Sequence, residues 1–378
     1  MPVVSQQTVQ ALRRAVRSRL PPWFARRARA LPWRAEPRQP YAVWISEMML
    51  QQTRVETVIP YFRRFLARFP DPAALAAAPL QDVLKLWEGL GYYSRARHIH
   101  QTARILVRDF GGRLPADPAQ LAALPGLGPY ATAAIASLAF GQPLAVLDGN
   151  VMRVLARLAA LDDDIGLAAT KKKLQELADA LLLRDKPGTV NEAWMELGAL
   201  VCTPRSPRCG ECPLHGTCRA AKLKTPEAFP RKKKKEKIPH KIVGAAVILN
   251  RKNQILIAQR NPEGGMLAGL WEFPGGKQAK GETMRQCIRR ELQEEMGLDL
   301  EVGAHLVTVH HVYSHFTIDL HAHFARIRSG RPRHLECAGH AWVTPAEFDR
   351  YPFSKADHGI IHAIRALPQP PHLRDYFK

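Results

Sequence analysis

The chain has 378 residues, a formal net charge of +21 and a pI near 10.1. That length supports two or three domains with ordinary cores, so covalent staples are not needed, and so large a positive charge points to an anionic partner, nucleic acid first. No apolar segment can span a bilayer: the uncharged stretch from Leu121 to Leu147 is broken by Pro125, Gly126, Gly128, Pro129, Gly141 and Pro143.

The N-terminus, MPVVSQQTVQALRR, lacks the apolar core of a secretory signal. The first 35 residues hold eight arginines and no acid, which reads as a basic amphipathic helix facing DNA or solvent. A transit peptide has a similar composition, but Trp33 and Arg34 fall in a motif described below. The expected location is therefore cytoplasmic and nucleoid-associated, without membrane attachment. From about residue 8 to 220, apolar residues recur at three- and four-residue spacing between Pro and Gly breaks, as in ALRRAVRSRL, ETVIPYFRRFLARF, LQDVLKLWEGL and KKLQELADALLL. This predicts an all-α domain over 1–225.

Within it, YAVWISEMMLQQT places Glu47 among Trp44, Ile45, Met48 and Met49. On a packed helix that carboxyl is desolvated and its proton affinity raised, as a general acid at neutral pH requires; taken alone, the segment reads rather as a surface glutamate at a helix start. Next, LPGLGPYATAAIASLAF puts Gly126 and Gly128 in a tight turn before a helix, where free N–H groups suit a phosphate or simply join two helices. Asp148 in VLDGNVMRV stands at a predicted helix start, where a helix cap is the plain reading. Cys202, Cys209, Cys212 and Cys218 follow in VCTPRSPRCGECPLHGTC, spaced C-x6-C-x2-C-x5-C. In a reducing compartment such a cluster binds metal more often than it forms disulfides, and four converging thiolates suit a [4Fe-4S] cluster better than zinc or purely structural cysteines.

Residues 231–241, RKKKKEKIPHK, carry seven basic residues against one Glu and read as part of a linker over 226–241. The period then changes. GAAVILN and QILIAQR predict two strands joined at RKN, followed by a Gly-rich loop, a helix near 283–296 and strands around 301–327, an α/β domain over 242–378. Residues 276–298, GKQAKGETMRQCIRRELQEEMGL, fit the Nudix box in full. There Glu291, Glu294 and Glu295 fall on one side of a helix where a Mg2+ ion could sit.

Taken together, the PGxG turn, the aspartate twenty residues later and the four cysteines resemble the helix-hairpin-helix glycosylases of the endonuclease III superfamily. LPWR, SEMMLQQTRVETVIPYF, WEGLGYYSRAR, LDGNVMRVL and ELGALVCTPRSPRCGECPL are similar to its adenine DNA glycosylase branch, over nearly the whole chain. The resemblance implies a multidomain protein: an all-α helix-hairpin-helix domain with an iron-sulfur loop, then an α/β Nudix-like domain. It also implies a monomer acting on double-stranded DNA with adenine opposite 8-oxoguanine or guanine. The lyase branch carries a lysine just after the hairpin glycines, whereas this chain has Tyr130. That favours a monofunctional enzyme, which leaves an abasic site.

By the same resemblance, Glu47 protonates adenine and Asp148 stabilises the sugar, assisted by Tyr130 and Asn150. Arg34 and Glu196 hold the flipped base, and Gln52, Thr53, Leu90 and Tyr92 stand against the DNA near the mispair. Arg205 and Arg208, in the first cysteine loop, are read as phosphate contacts. The family's C-terminal domain recognises 8-oxoguanine, usually through a Phe-Ser-His loop; here Tyr313 precedes Ser314 and His315, so the contact transfers mainly to Ser314. The Nudix carboxylates, commonly lost in the family, are intact, which raises nucleotide hydrolysis with Mg2+ as a second reading against a retained scaffold motif. Two rivals to the main reading are a lyase for oxidised pyrimidines and a silent lesion binder.

Overall fold

The computed structural model describes residues 5–233, 238–368 and 376, so part of the basic linker lies outside the described residues. The chain divides into two compact units, one of Met1–Ala77 with His98–Lys234 and one of Ala78–Arg97 with Lys235–Lys378.

The first unit is helical. Its long first helix, Gln6–Arg27, is capped by Ser5, whose hydroxyl accepts from the Thr8 N–H at 3.3 Å. Leu12, Val16 and Leu20 line one face and pack with Val151, Leu155, Leu174, Leu181, Val190 and Leu197. The segment carrying Glu47 is the helix Pro40–Leu50, with seven consecutive buried residues from Val43 to Met49. The hairpin turn needs its glycine: Gly126 has φ +78°, and a Cβ there would fall 2.7 Å from the Cβ of His98. Gly128 then caps the helix Pro129–Phe140, whose proline near the N-terminus loses no intrahelical donor. Asp148 caps the helix Gly149–Ala159 through its Oδ1, which accepts from the Val151 N–H at 2.7 Å.

The second unit contains two three-stranded sheets. Strands β1 (His240–Ile248), β4 (Asp299–Val312) and β5 (Thr317–Ser329) form one in the order β1-β5-β4, with β1 parallel to β5 and β4 antiparallel to it. The other is antiparallel, in the order β3-β2-β6, from β2 (Ile255–Arg260), β3 (Trp271–Glu272) and β6 (Cys337–Val343). The continuous apolar run of β1 is explained by burial on both faces. Ala245 and Val247 pack with Ile360 and Ile361 of the helix Lys355–Arg365, whereas Ala246 and Ile248 pack with Ile288 and Leu292 of the helix Met284–Met296. The latter helix opens with a capping box between Thr283 and Gln286 and closes on Gly297 in the left-handed region.

Residues 78–97 pack with the C-terminal chain. Glu88 accepts from the Phe353 N–H at 2.7 Å and pairs with His358 at 2.8 Å, Gln81 donates to the Gly269 carbonyl at 3.0 Å, and Lys85 donates to the Tyr351 carbonyl at 2.8 Å. No helix among the described residues is long and apolar enough to cross a membrane.

Candidate active site and iron-sulfur loop

A cavity of about 440 Å³ in the helical unit gathers Arg34, Glu47, Gln52, Thr53, Tyr130, Asp148, Asn150 and Glu196. These come from five stretches of sequence, and helix ends and faces bring them together. Glu47 is 3% exposed, and its Oε2 accepts from the Tyr130 hydroxyl at 2.8 Å. Burial pushes its carboxyl up to about 7; the Tyr130 hydrogen bond pulls it down, the charges of Asp148 and Glu192 push it up, and Arg34 opposes them. Glu47 therefore holds a proton near neutral pH.

Asp148 differs. Burial raises its carboxyl too, but the Val151 N–H, the Asn150 amide at 3.1 Å and the charge of Arg153 all favour its ionised form. Two carboxyls in one cavity thus have unlike surroundings, one apolar and one rich in donors, which is how acid and anion roles are divided. Burial and the two carboxylates hold the Tyr130 phenol well above its usual range, so it remains a donor.

Three arginines and two glutamates that the sequence did not single out as a set complete the wall. Glu196 accepts from Arg29 through the backbone N–H (2.9 Å), Nε (2.9 Å) and Nη2 (3.0 Å), and from Arg34 Nη2 at 3.0 Å. Burial works against ionisation of Glu196, yet these arginines hold its carboxyl down at about 2. Glu192, one turn earlier, pairs with Arg34 Nε at 2.8 Å and Arg38 Nη2 at 2.7 Å. Of this set only Arg34 and Glu196 were expected. The i, i+4 spacing of Glu192 and Glu196 was the available signal.

The four cysteines lie on a loop that turns through two short 3-10 segments, Cys209–Glu211 and His215–Thr217. Burial raises the Cys209 and Cys218 thiols and pushes Cys212 up to about 12, and each of these feels other cysteines of the set. Four clustered thiols, three of them held up by burial, suit a bound iron-sulfur group, which would replace their protons and compensate the charge. Among the described residues no three His, Cys, Asp or Glu side chains converge on a single-ion site.

Buried Arg157 braces this loop, donating to the carbonyls of Thr203 (2.7 Å), Pro204 (2.9 Å) and Phe229 (2.9 Å) and to Cys202 Sγ at 3.3 Å. Arg153 connects it to the cavity: Nε donates to the Cys202 carbonyl at 2.8 Å and Nη2 to Asn150 Oδ1 at 2.9 Å. Of the two arginines expected at phosphates, Arg208 is turned to the Leu200 carbonyl and to Glu211. Replacing Cys212 by Ser is expected to lower iron retention by about tenfold or more, read as iron per chain and visible absorbance, with a lower melting temperature.

In the second unit a separate cavity brings together Leu90, Tyr92, Ser314 and His315 with Arg97, Met266 and Lys355. The Tyr92 hydroxyl bonds directly to Ser314 Oγ. Leu90, expected to reach the DNA, is 6% exposed in this structure. The Nudix glutamates are divided in environment. Glu291 and Glu294 both pair with Arg290, at 2.8 and 3.0 Å. Glu295 faces a cleft shared with Glu272, Asp357 and Arg260. Burial first, then the charges of Glu272 and Glu291, pushes its carboxyl up to about 8.

Comparison with known proteins agrees with this construction. Residues 45–180 match the model of the HhH-GPD superfamily of base excision DNA repair proteins, 202–218 that of the iron-sulfur binding domain of endonuclease III, and 244–363 that of the NUDIX domain. The helical fold and its acid-lined cavity are thus those of a base excision repair protein. A thermostable thymine-DNA glycosylase structure superposes with a TM-score of 0.51 at 27% identity, over 57% of this chain and 98% of that one. Adenine DNA glycosylase from Homo sapiens is 36% identical over 88% of this chain and 71% of its own length. That from Buchnera aphidicola subsp. Schizaphis graminum is also 36% identical, over 77% and 81%. The chain belongs to the adenine DNA glycosylase family.

Proposed function

We propose that the chain is a monofunctional adenine DNA glycosylase that removes adenine mispaired with 8-oxoguanine or guanine. The observation that carries this reading is the pair Glu47 and Asp148 in one cavity, one carboxyl held at about 7 and the other surrounded by donors. Cleaving an N-glycosidic bond sends electrons to the departing base and leaves positive charge on the sugar. Glu47 gives its proton to N7 of the flipped adenine, and the Tyr130 hydroxyl keeps its carboxyl oriented. Asp148, held by the Val151 N–H and the Asn150 amide, faces the developing sugar cation. Water then adds to the sugar carbon and gives its proton to the Glu47 carboxylate, which leaves an abasic site and restores the acid. Arg34 and Glu196 form the wall that receives the base, and Gln52 and Thr53 stand at the same cavity. A base in a duplex reaches such a cavity only by leaving the stack.

The hairpin glycines Gly126 and Gly128, with Arg205 and Arg208, follow the phosphates, and the thiols of Cys202, Cys209, Cys212 and Cys218 hold a [4Fe-4S] cluster. Bound, that cluster supplies a rigid cross-link to the loop; the hydrolysis needs no redox step. In the C-terminal unit, Tyr92 with Ser314 and His315 reads the base opposite adenine. The ion pairs of Glu291 and Glu294 with Arg290 support the Nudix box as a scaffold. With Mg2+ and 8-oxo-dGTP, the expected turnover is no greater than that of Glu294→Gln; magnesium-dependent turnover lost in that variant would restore the hydrolase reading.

Direct detection of free adenine released from a duplex with adenine opposite 8-oxoguanine tests the function. Tight binding without release would leave only a lesion reader.

A further inference from the structure

The two glutamates in the cavity wall are not equivalent. Both oxygens of Glu196 are fully used: Oε1 takes the Arg29 N–H and Nε, and Oε2 takes Arg29 Nη2 and Arg34 Nη2. Each carboxylate oxygen has two lone pairs, so Glu196 has no acceptor left for a ligand. Glu192, 5% exposed and lining the same cavity, takes Arg34 Nε at 2.8 Å and Arg38 Nη1 at 3.3 Å on Oε1. On Oε2 it takes Arg38 Nη2 at 2.7 Å.

Arg34 spends its other two nitrogens elsewhere, Nη1 on the Arg29 carbonyl at 3.0 Å and Nη2 on Glu196, so Arg38 is the group that meets Oε2 of Glu192. Arg38 is itself held from the far side by Glu36, whose Oε1 accepts from Arg38 Nε at 2.8 Å.

We propose that Arg38 is a positioning residue for base selection: acting through Glu192, it holds that carboxylate turned so that the remaining acceptor on Oε2 meets the exocyclic amine of a bound purine. The proposal rests on the adenine-releasing reading above. A purine with an amine at that ring position satisfies the acceptor. One with a carbonyl sets oxygen against oxygen, and one with neither leaves a buried carboxylate oxygen unmet. Without Arg38, Glu192 has Arg34 alone as a counter-charge, and its outer oxygen is free to turn away.

The test is single-turnover base release from duplexes carrying either adenine or unsubstituted purine, which lacks the amine, opposite 8-oxoguanine. The wild type is compared with Arg38→Met and Arg38→Lys. In Arg38→Met the ratio of the adenine rate to the purine rate is expected to fall about tenfold, the loss of one hydrogen bond to a charged acceptor. Arg38→Lys restores the charge without the two-pronged geometry, so its ratio falls between the other two and guards against a folding defect in the methionine variant. Glu192→Gln lowers the same ratio, and combining it with Arg38→Met adds little further. Equal slowing of both substrates would make Arg38 a structural or phosphate-binding residue and overturn the proposal, as would an unchanged ratio. A wild type that releases neither base removes the parent reading and this one with it; an active wild type with unaltered ratios in the variants removes this one alone.

Discussion

Replacing Glu47 by Gln is expected to lower the rate of adenine release by about 10³-fold, the usual worth of a positioned general acid, with duplex binding preserved. The amide fills the same buried space and still accepts from the Tyr130 hydroxyl, but it has no proton to give the base. In the wild type the rate should fall as pH rises through about 7, where burial has placed the Glu47 carboxyl, and that limb should vanish in the variant. Stability follows pH in the same direction. The folded-state carboxyl lies at about 7 against 4.5 for an ordinary glutamate, so its proton is bound more tightly by the folded chain than by the unfolded one. Its contribution is complete below the unfolded value and is lost as pH rises through the folded one; a shift of this size corresponds to roughly 3 kcal/mol. Gln carries no such penalty. At pH 8 the inactive variant should therefore melt several degrees above the wild type, which thermal denaturation at pH 5 and pH 8 would check.

Asp148→Asn is expected to be about as severe, because an amide cannot compensate a cationic sugar. Asn remains a good helix cap, so the Gly149–Ala159 helix should persist and circular dichroism should be unchanged. The variant also tests the coupling of the two acids. The charge of Asp148 is one of the influences that raise Glu47, so removing it should move the descending limb of any residual activity to lower pH. A rate within about tenfold of the wild type would be too small a loss for a charge facing the transition state.

Much of this site was visible in the linear sequence because its two acids are marked by their neighbours. Glu47 sits among apolar residues and Asp148 follows a break and opens a helix, so a buried carboxyl and a helix cap could be read there, but the resemblance to the glycosylase family was needed to single out the two as a pair. Tyr130 was legible only through that resemblance, because the lyase branch has a lysine at its position just after the hairpin glycines. The arginine and glutamate lattice was not, since Arg29, Arg34 and Arg38 meet Glu192 and Glu196 across more than 150 positions and no periodicity records the pairing. Distance in sequence also hid the association of residues 78–97 with the C-terminal chain: Gln81, Lys85 and Glu88 look like the polar face of an ordinary helix, and their partners lie at Gly269, Tyr351 and Phe353. In the second unit the strands expected around 301–327 are the long hairpin of β4 and β5. Strand β6 and the helix Lys355–Arg365 carried no comparable signal, and their apolar residues become intelligible only against the sheets they cover.

The most direct measurement is a single-turnover reaction on duplexes with adenine opposite 8-oxoguanine, guanine or thymine, with products separated before and after alkali. The expected result is strand breaks only after alkali, forming fastest opposite 8-oxoguanine, next opposite guanine and least opposite thymine. Breaks already present before alkali would contradict the monofunctional assignment drawn from Tyr130, and intact strands after alkali would contradict base release altogether.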